Sequence, residues 1–83
     1  MNERGFGQAV KEMRGRLHIS QEELGFRAGL HRTYVSQIER GLKSPSLRTV
    51  QRIADAFQMD VLKLLQRAER KSKTSQDGGA TES

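Results

Sequence analysis

Apolar residues recur near the start of the chain at Phe6, Val10, Met13 and Leu17, at steps of four, three and four. That spacing lies on one face of an α-helix. Gly5, Gly7 and Gly15 interrupt the pattern and predict a locally weak helix with frayed ends. A second helix is predicted to open at Ser20. The run Ser20-Gln21-Glu22-Glu23 has the form of a capping box, with the serine hydroxyl on the amide of Glu23 and the Glu23 carboxylate reaching back. Leu24 and Ala28 form a short inward stripe, and Gly29 stands where a left-handed residue stops a helix. A third helix carries Tyr34, Val35, Ile38 and Leu42 and is stopped by Gly41. Pro45 bars helix through the next turn. A fourth starts near Ser46 and carries Leu47, Val50, Ile53, Ala54 and Phe57. A fifth opens at Asp60, a good N-cap, and carries Val61, Leu62, Leu64, Leu65 and Ala68. Beyond Arg70 only Ala80 is apolar, so residues 71–83 read as a disordered polar tail. No segment alternates long enough to be a strand, and no repeat is present. The expectation is an all-α, compact five-helix domain over residues 1–70 with that tail behind it.

Composition narrows what such a domain can do. Eighty-three residues make one domain with a small core. With no cysteine, disulfides, thiol nucleophiles and cysteine-ligated metals are excluded. No apolar run approaches the ~20 residues that span a bilayer, so no membrane partner is expected. No apolar segment follows Met1–Arg4, so no secretory leader is expected either. The formal charge is +5. The surplus is local: from Arg32 to Arg52 five basic residues (Arg32, Arg40, Lys43, Arg48, Arg52) stand against Glu39 alone. The last 31 residues balance. A concentrated basic segment points to a polyanion.

The informative span runs from Ser20 to Gly41. It is a capped short helix, a turn at Gly29 and a second short helix, the sequence form of a helix-turn-helix. Gly25 and Ala28 are small where the two helices touch. Leu30, Val35 and Ile38 anchor the second helix from behind. Its remaining face shows Arg32, Thr33, Ser36, Gln37 and Arg40, side chains that read base edges and phosphates. Taken alone, Arg32, Arg40 and Lys43 also describe a solvated basic face, and Tyr34 fits core packing as well as DNA contact. His18 and His31 are too few and too isolated for a metal site. Gly5-Phe6-Gly7 follows no strand and is no phosphate loop. Ser36 lacks a nucleophile-elbow context, and no carboxylate pair is set in an evident pocket. An enzyme is not expected, and no cofactor or small-molecule ligand is implied.

These residues resemble the phage-repressor-like (xenobiotic-response-element type) helix-turn-helix proteins of bacteria and their viruses. The resemblance covers roughly residues 6–66. It rests on Arg14, Ser20-Gln21-Glu22-Glu23-Leu24, Ala28-Gly29-Leu30, Ser36-Gln37-Ile38-Glu39-Arg40-Gly41, Ser44-Pro45-Ser46 and Leu64-Leu65. Within the family, Arg32-Thr33-Tyr34-Val35-Ser36 is similar to the recognition helix of restriction–modification controller proteins. The resemblance implies that Gln21 binds a phosphate through its side chain and the helix N-terminus, that Arg32, Thr33, Ser36 and Gln37 face bases, and that Tyr34, Arg40 and Lys43 hold the DNA backbone. It also implies an internal ion pair between Arg14 and Glu39. Three positions depart from the family. Gly25 replaces the usual alanine, which predicts a less rigid second helix. Phe26 stands where a polar residue is usual. His31 occupies an N-cap normally held by Ser, Thr or Asp, which predicts a poorer cap.

The expected function is a sequence-specific, DNA-binding transcriptional regulator. It would bind a palindromic operator on double-stranded DNA as a homodimer, through a recognition helix at about residues 32–40. Two half-sites ~34 Å apart supply the base contacts that one small domain lacks. The dimer surface is expected on the fifth helix, at Leu62 and Leu65. The resemblance places such a protein at the nucleoid, in the cytoplasm, encoded by a bacterium or a phage. Two alternatives share the pattern. An antitoxin with this fold would need a toxin-binding segment, for which the tail is too polar. A helical adaptor that binds only protein is opposed by the basic Arg32–Arg52 segment.

Overall fold

Side chains that accept backbone hydrogen bonds start every helix in the computed structural model, which describes residues 2–80, with side chains from 2 to 73. Asn2 caps α1 (Glu3–Leu17) through the amide of Gly5, and Ser20 caps α2 (Gln21–Ala28) through that of Glu23. His31 caps α3 (Arg32–Glu39), and Ser46 caps α4 (Leu47–Ala56). Asp60 Oδ1 accepts from Leu62 at the start of α5 (Val61–Ala80). Each such bond satisfies an amide that the helix itself leaves open. Only the serine half of the expected capping box forms. The Glu23 carboxylate accepts instead from Arg27 Nε at 2.8 Å, one turn along the same helix. No strand occurs among the described residues.

The apolar faces meet in one core. Its largest fully buried side chains are Phe6, Val10, Leu24, Val35, Ile38, Ile53 and Leu64. Each contributes ~1.5–3 kcal/mol by leaving water. α5 lies along α1, α3 crosses α1 and packs on α2, and α4 closes the far side against α2 and α5. Leu64 and Ala68 form the centre of the α5 stripe, with Val61 and Leu65 at its margin. Three leucines expected inside are exposed: Leu17, Leu42 and Leu47. Leu17 is the last residue of α1, beside a left-handed His18 (φ 57°) that turns the chain away. Leu42 lies beyond the end of α3, past the turn at Gly41. Leu47 is the first residue of α4, three residues ahead of Val50, where the buried stripe begins.

The glycines of α1 do not fray it. The helix runs through Gly15 to Leu17, and Gly5 and Gly7 are buried at close crossings. A Cβ at Gly5 would collide with Ser72 Oγ and stand 2.8 Å from the Ala68 carbonyl oxygen. Ser72 fills that space. It is 4% exposed, donates to the Ala68 carbonyl at 2.9 Å and accepts from the Asn2 amide. The α1–α5 packing thus continues past Arg70, and α5 itself runs to Ala80. Of the tail expected over 71–83, residues 81–83 lie outside the described residues.

Lys71 adds a second tie at this end. Its ammonium lies 3.2 Å from Glu12, which also accepts from Arg67. The hydrogen bond from Lys71 holds the Glu12 carboxyl below its ordinary range. Burial opposes that shift, and the charges of Lys71, Arg16 and Arg67 reinforce it. A lowered folded-state value stabilises the fold above the ordinary carboxylate range and is lost as pH falls through the lowered value. A chain ended at Arg70 is therefore expected to melt ~4–8 °C below one ended at Lys73, the equivalent of about 1 kcal/mol. It is also expected to lose less stability on acidification. Thermal melts at neutral and acid pH check both; equal melting temperatures would show that Ser72 and Lys71 add nothing.

Candidate nucleic-acid interface

The turn of the helix-turn-helix is closed by a short backbone contact. The Leu30 amide donates to the Gly25 carbonyl at 2.7 Å, and Gly29 takes the left-handed conformation (φ 71°) between them. A Cβ at Gly25 would stand 2.5 Å from the Leu30 carbonyl oxygen. In this chain the turn packs into the space that the missing side chain of Gly25 leaves. The departure at His31 is also compensated. Its Nδ1 accepts from the Thr33 amide at 3.1 Å, as a Ser or Asp oxygen would.

Behind α3, Val35 and Ile38 are buried and Tyr34 is half-buried against the core. The Glu39 side chain is only 4% exposed, and three groups converge on it. Arg14 donates through Nε at 2.7 Å to Oε2 and through Nη2 at 3.1 Å to Oε1. Gln21 Nε2 donates to Oε1 at 3.0 Å. The third Arg14 nitrogen, Nη1, donates to the Ile19 carbonyl at 3.0 Å. The Glu39 hydrogen bond raises the Arg14 pKa against the opposing effect of burial. α1, the loop before α2, α2 and α3 are thus tied at one carboxylate. The side-chain amide nitrogen of half-exposed Gln21, expected at a phosphate, is engaged in that network. Its backbone amide, at the first position of α2, has no acceptor within its own helix.

On the opposite face Arg32, Thr33 and Arg40 are exposed, and Ser36 and Gln37 are half-exposed between them. Arg32, Ser36 and Arg40 follow one another about a turn apart, with Thr33 and Gln37 beside them, so the five form one strip of donors and acceptors. Lys43 is exposed just beyond the turn at Gly41. The guanidinium of Arg52 on α4 reaches toward Gly29 at the turn. The residues not picked out from sequence are Arg4, Gln8 and Lys11 on α1. They share one concavity with Arg40 and Gly41. Their spacing of four and three was the available signal, but it shows only that they share a face, not which helix end that face adjoins. Leu62 is 65% exposed and Leu65 half-buried on α5, and Phe26 stands exposed on α2.

No helix among the described residues is long and apolar enough to cross a membrane. A family model described as helix-turn-helix matches residues 10–64. Over 53 residues the chain is 45% identical to control protein C.BamHI of Bacillus amyloliquefaciens, a match covering 63% of this chain and 65% of that protein. It is 36% identical over 62 residues to an HTH-type transcriptional regulator of Mycobacterium tuberculosis, covering 75% of this chain and 44% of that one. The match thus spans less than two thirds of either relative. The crystal structure of the restriction–modification controller protein C.AhdI from Aeromonas hydrophila superposes with a TM-score of 0.73 at 37% identity, over 75% of this chain and 94% of the other.

Proposed function

The chain belongs to the helix-turn-helix family, and from that premise we propose that it is a sequence-specific DNA-binding transcriptional regulator, a homodimer on a palindromic operator. The observation that carries this reading is the two-faced α3. One side is fixed by Val35, Ile38 and the buried Glu39 network, and the other offers Arg32, Thr33, Ser36, Gln37 and Arg40 to solvent. A helix held that rigidly can enter a major groove without paying much ordering entropy. Arg32, Thr33, Ser36 and Gln37 read bases. Arg40 and Lys43 hold the backbone, and the first amide of α2 at Gln21 takes a phosphate. The dimer forms through α5, where Leu62 offers apolar surface with nothing over it in the single chain. The similarity to C.BamHI and C.AhdI favours a controller role over that of an antitoxin or an adaptor.

The test begins with a duplex selected by the wild-type chain from a randomised library. Wild-type affinity for it is expected to fall ~10³–10⁵-fold between about 50 and 200 mM salt, as 6–10 phosphate contacts per dimer release counterions. Arg32→Ala is expected to weaken binding by ~1–3 kcal/mol and to relax preference at one base pair, since a guanidinium bonds guanine O6 and N7 together. Equal losses on the selected and on random duplexes would make Arg32 a phosphate contact. A chain that enriches no duplex would end the DNA-binding reading.

A further inference from the structure

The recognition helix ends against α1, and the geometry there is close. Gly41, in the left-handed conformation (φ 75°), leaves room for a Cβ only 3.2 Å from the Cα of Arg4. Gly7 brings the α1 backbone against the carbonyls of Ile38 and Glu39. The C-terminal end of α3 and the N-terminal half of α1 therefore form one continuous surface. On it Arg4, Gln8 and Lys11 open onto the same shallow concavity of about 600 Å³ as Arg40. Arg4, Lys11 and Arg40 are all exposed. The one carboxylate in the concavity is Glu39, already bound by Arg14 and Gln21. The nearby Glu12 is engaged with Lys71 and Arg67 of α5. Among the described residues that line the concavity, three cations thus face solvent and the carboxylate beside them is already engaged.

Resting on the DNA-binding reading above, we propose that Arg4 and Lys11 form a second phosphate-binding wall. On this arrangement the backbone strand that leaves the recognition helix at Arg40 runs on across α1. Continuity with the Arg40 face selects DNA as the occupant, because a duplex seated on α3 carries its next phosphates past that end. The wall acts on backbone charge alone, so it lengthens the footprint and strengthens binding without reading sequence.

The experiment compares wild type with Arg4→Gln/Lys11→Gln on the selected duplex and on a random one. Both side chains are exposed, so the melting temperature is expected to hold. Each lost phosphate contact removes about 0.9 from the slope of log affinity against log salt, or ~1.8 for the pair in each protomer. Between about 50 and 200 mM salt, wild type therefore loses about tenfold more affinity per protomer than the variant. The loss is expected to be equal on both duplexes, and phosphate ethylation outside the half-site is expected to interfere with wild-type binding alone. An unchanged salt slope, with the wild type still selecting a duplex, overturns this inference and leaves the DNA-binding reading standing. A loss confined to the selected duplex also overturns it, because it would make these side chains base readers. Failure of the wild type to select any duplex is the separate failure of the underlying reading.

Discussion

Glu39→Ala is expected to destabilise the protein by ~3–5 kcal/mol, because it leaves the Arg14 guanidinium without its partner. The lower end of that range applies, since the Arg14 side chain is 18% exposed and part of its charge can reach water. Gln21 loses its acceptor in the same change. For a domain of this size ~3 kcal/mol corresponds to roughly 12–24 °C in melting temperature. Glu22→Ala, an exposed change in the first turn of α2, is expected to cost less than about 1 kcal/mol. Arg14→Met combined with Glu39→Leu is expected to recover much of the loss, as apolar pairs can replace buried ion pairs. Recovery stays incomplete because the Ile19 carbonyl and the Gln21 amide keep no partner there. DNA affinity is expected to fall in Glu39→Ala on selected and random duplexes alike, through movement of α3 rather than a lost base contact. Melts of the two singles and the double decide the matter. Strictly additive losses would mean that the two residues are not coupled and that α3 is held by Val35 and Ile38 alone.

What could be read in advance follows how local each interaction is. Ser20, Ser46 and Asp60 act within three residues of themselves, so their caps are visible in the sequence. The meeting of Arg14 and Glu39 is longer in range, yet each follows an apolar stripe, and the family resemblance joined them. His31 caps α3 better than its residue type predicts because a ring nitrogen can accept where an oxygen is usual. Glu23 departs from the capping-box expectation because Arg27, one turn on, competes for its carboxylate. The contacts of Ser72 and Gln21 follow from no local pattern. Ser72 is buried only because Gly5 has no side chain, and Gln21 meets Glu39 only after three helices have packed. Gly25 shows the same limit from the other side. Propensity reads a glycine in a helix as looseness, whereas the space a turn needs is a property of the neighbour it touches.

Gly7→Ala extends that reasoning to the crossing that carries the recognition helix. Replacing a helical glycine by alanine normally stabilises by ~0.5–1 kcal/mol, through the freedom lost to the unfolded chain. Gly15 offers that situation, because a Cβ there would meet nothing within 4 Å. At Gly7 the same methyl would collide with the Ile38 carbonyl oxygen, and it would stand 2.7 Å from the Glu39 carbonyl oxygen and 2.9 Å from its carbon. All three are backbone atoms, so no rotamer change relieves the contact. α1 and α3 must separate, at ~1–3 kcal/mol or more for overpacking. Gly15→Ala is therefore expected to raise the melting temperature and Gly7→Ala to lower it, with about 2–4 kcal/mol between them. The separation also moves the Glu39 backbone, and with it the carboxylate that Arg14 and Gln21 hold. Gly7→Ala is thus expected to weaken DNA binding, and Gly15→Ala to leave it unchanged. Paired melts and titrations on the selected duplex test this. Equal stabilisation by the two alanines would show that α1 and α3 do not cross so closely, and the position of the recognition helix would then need another cause.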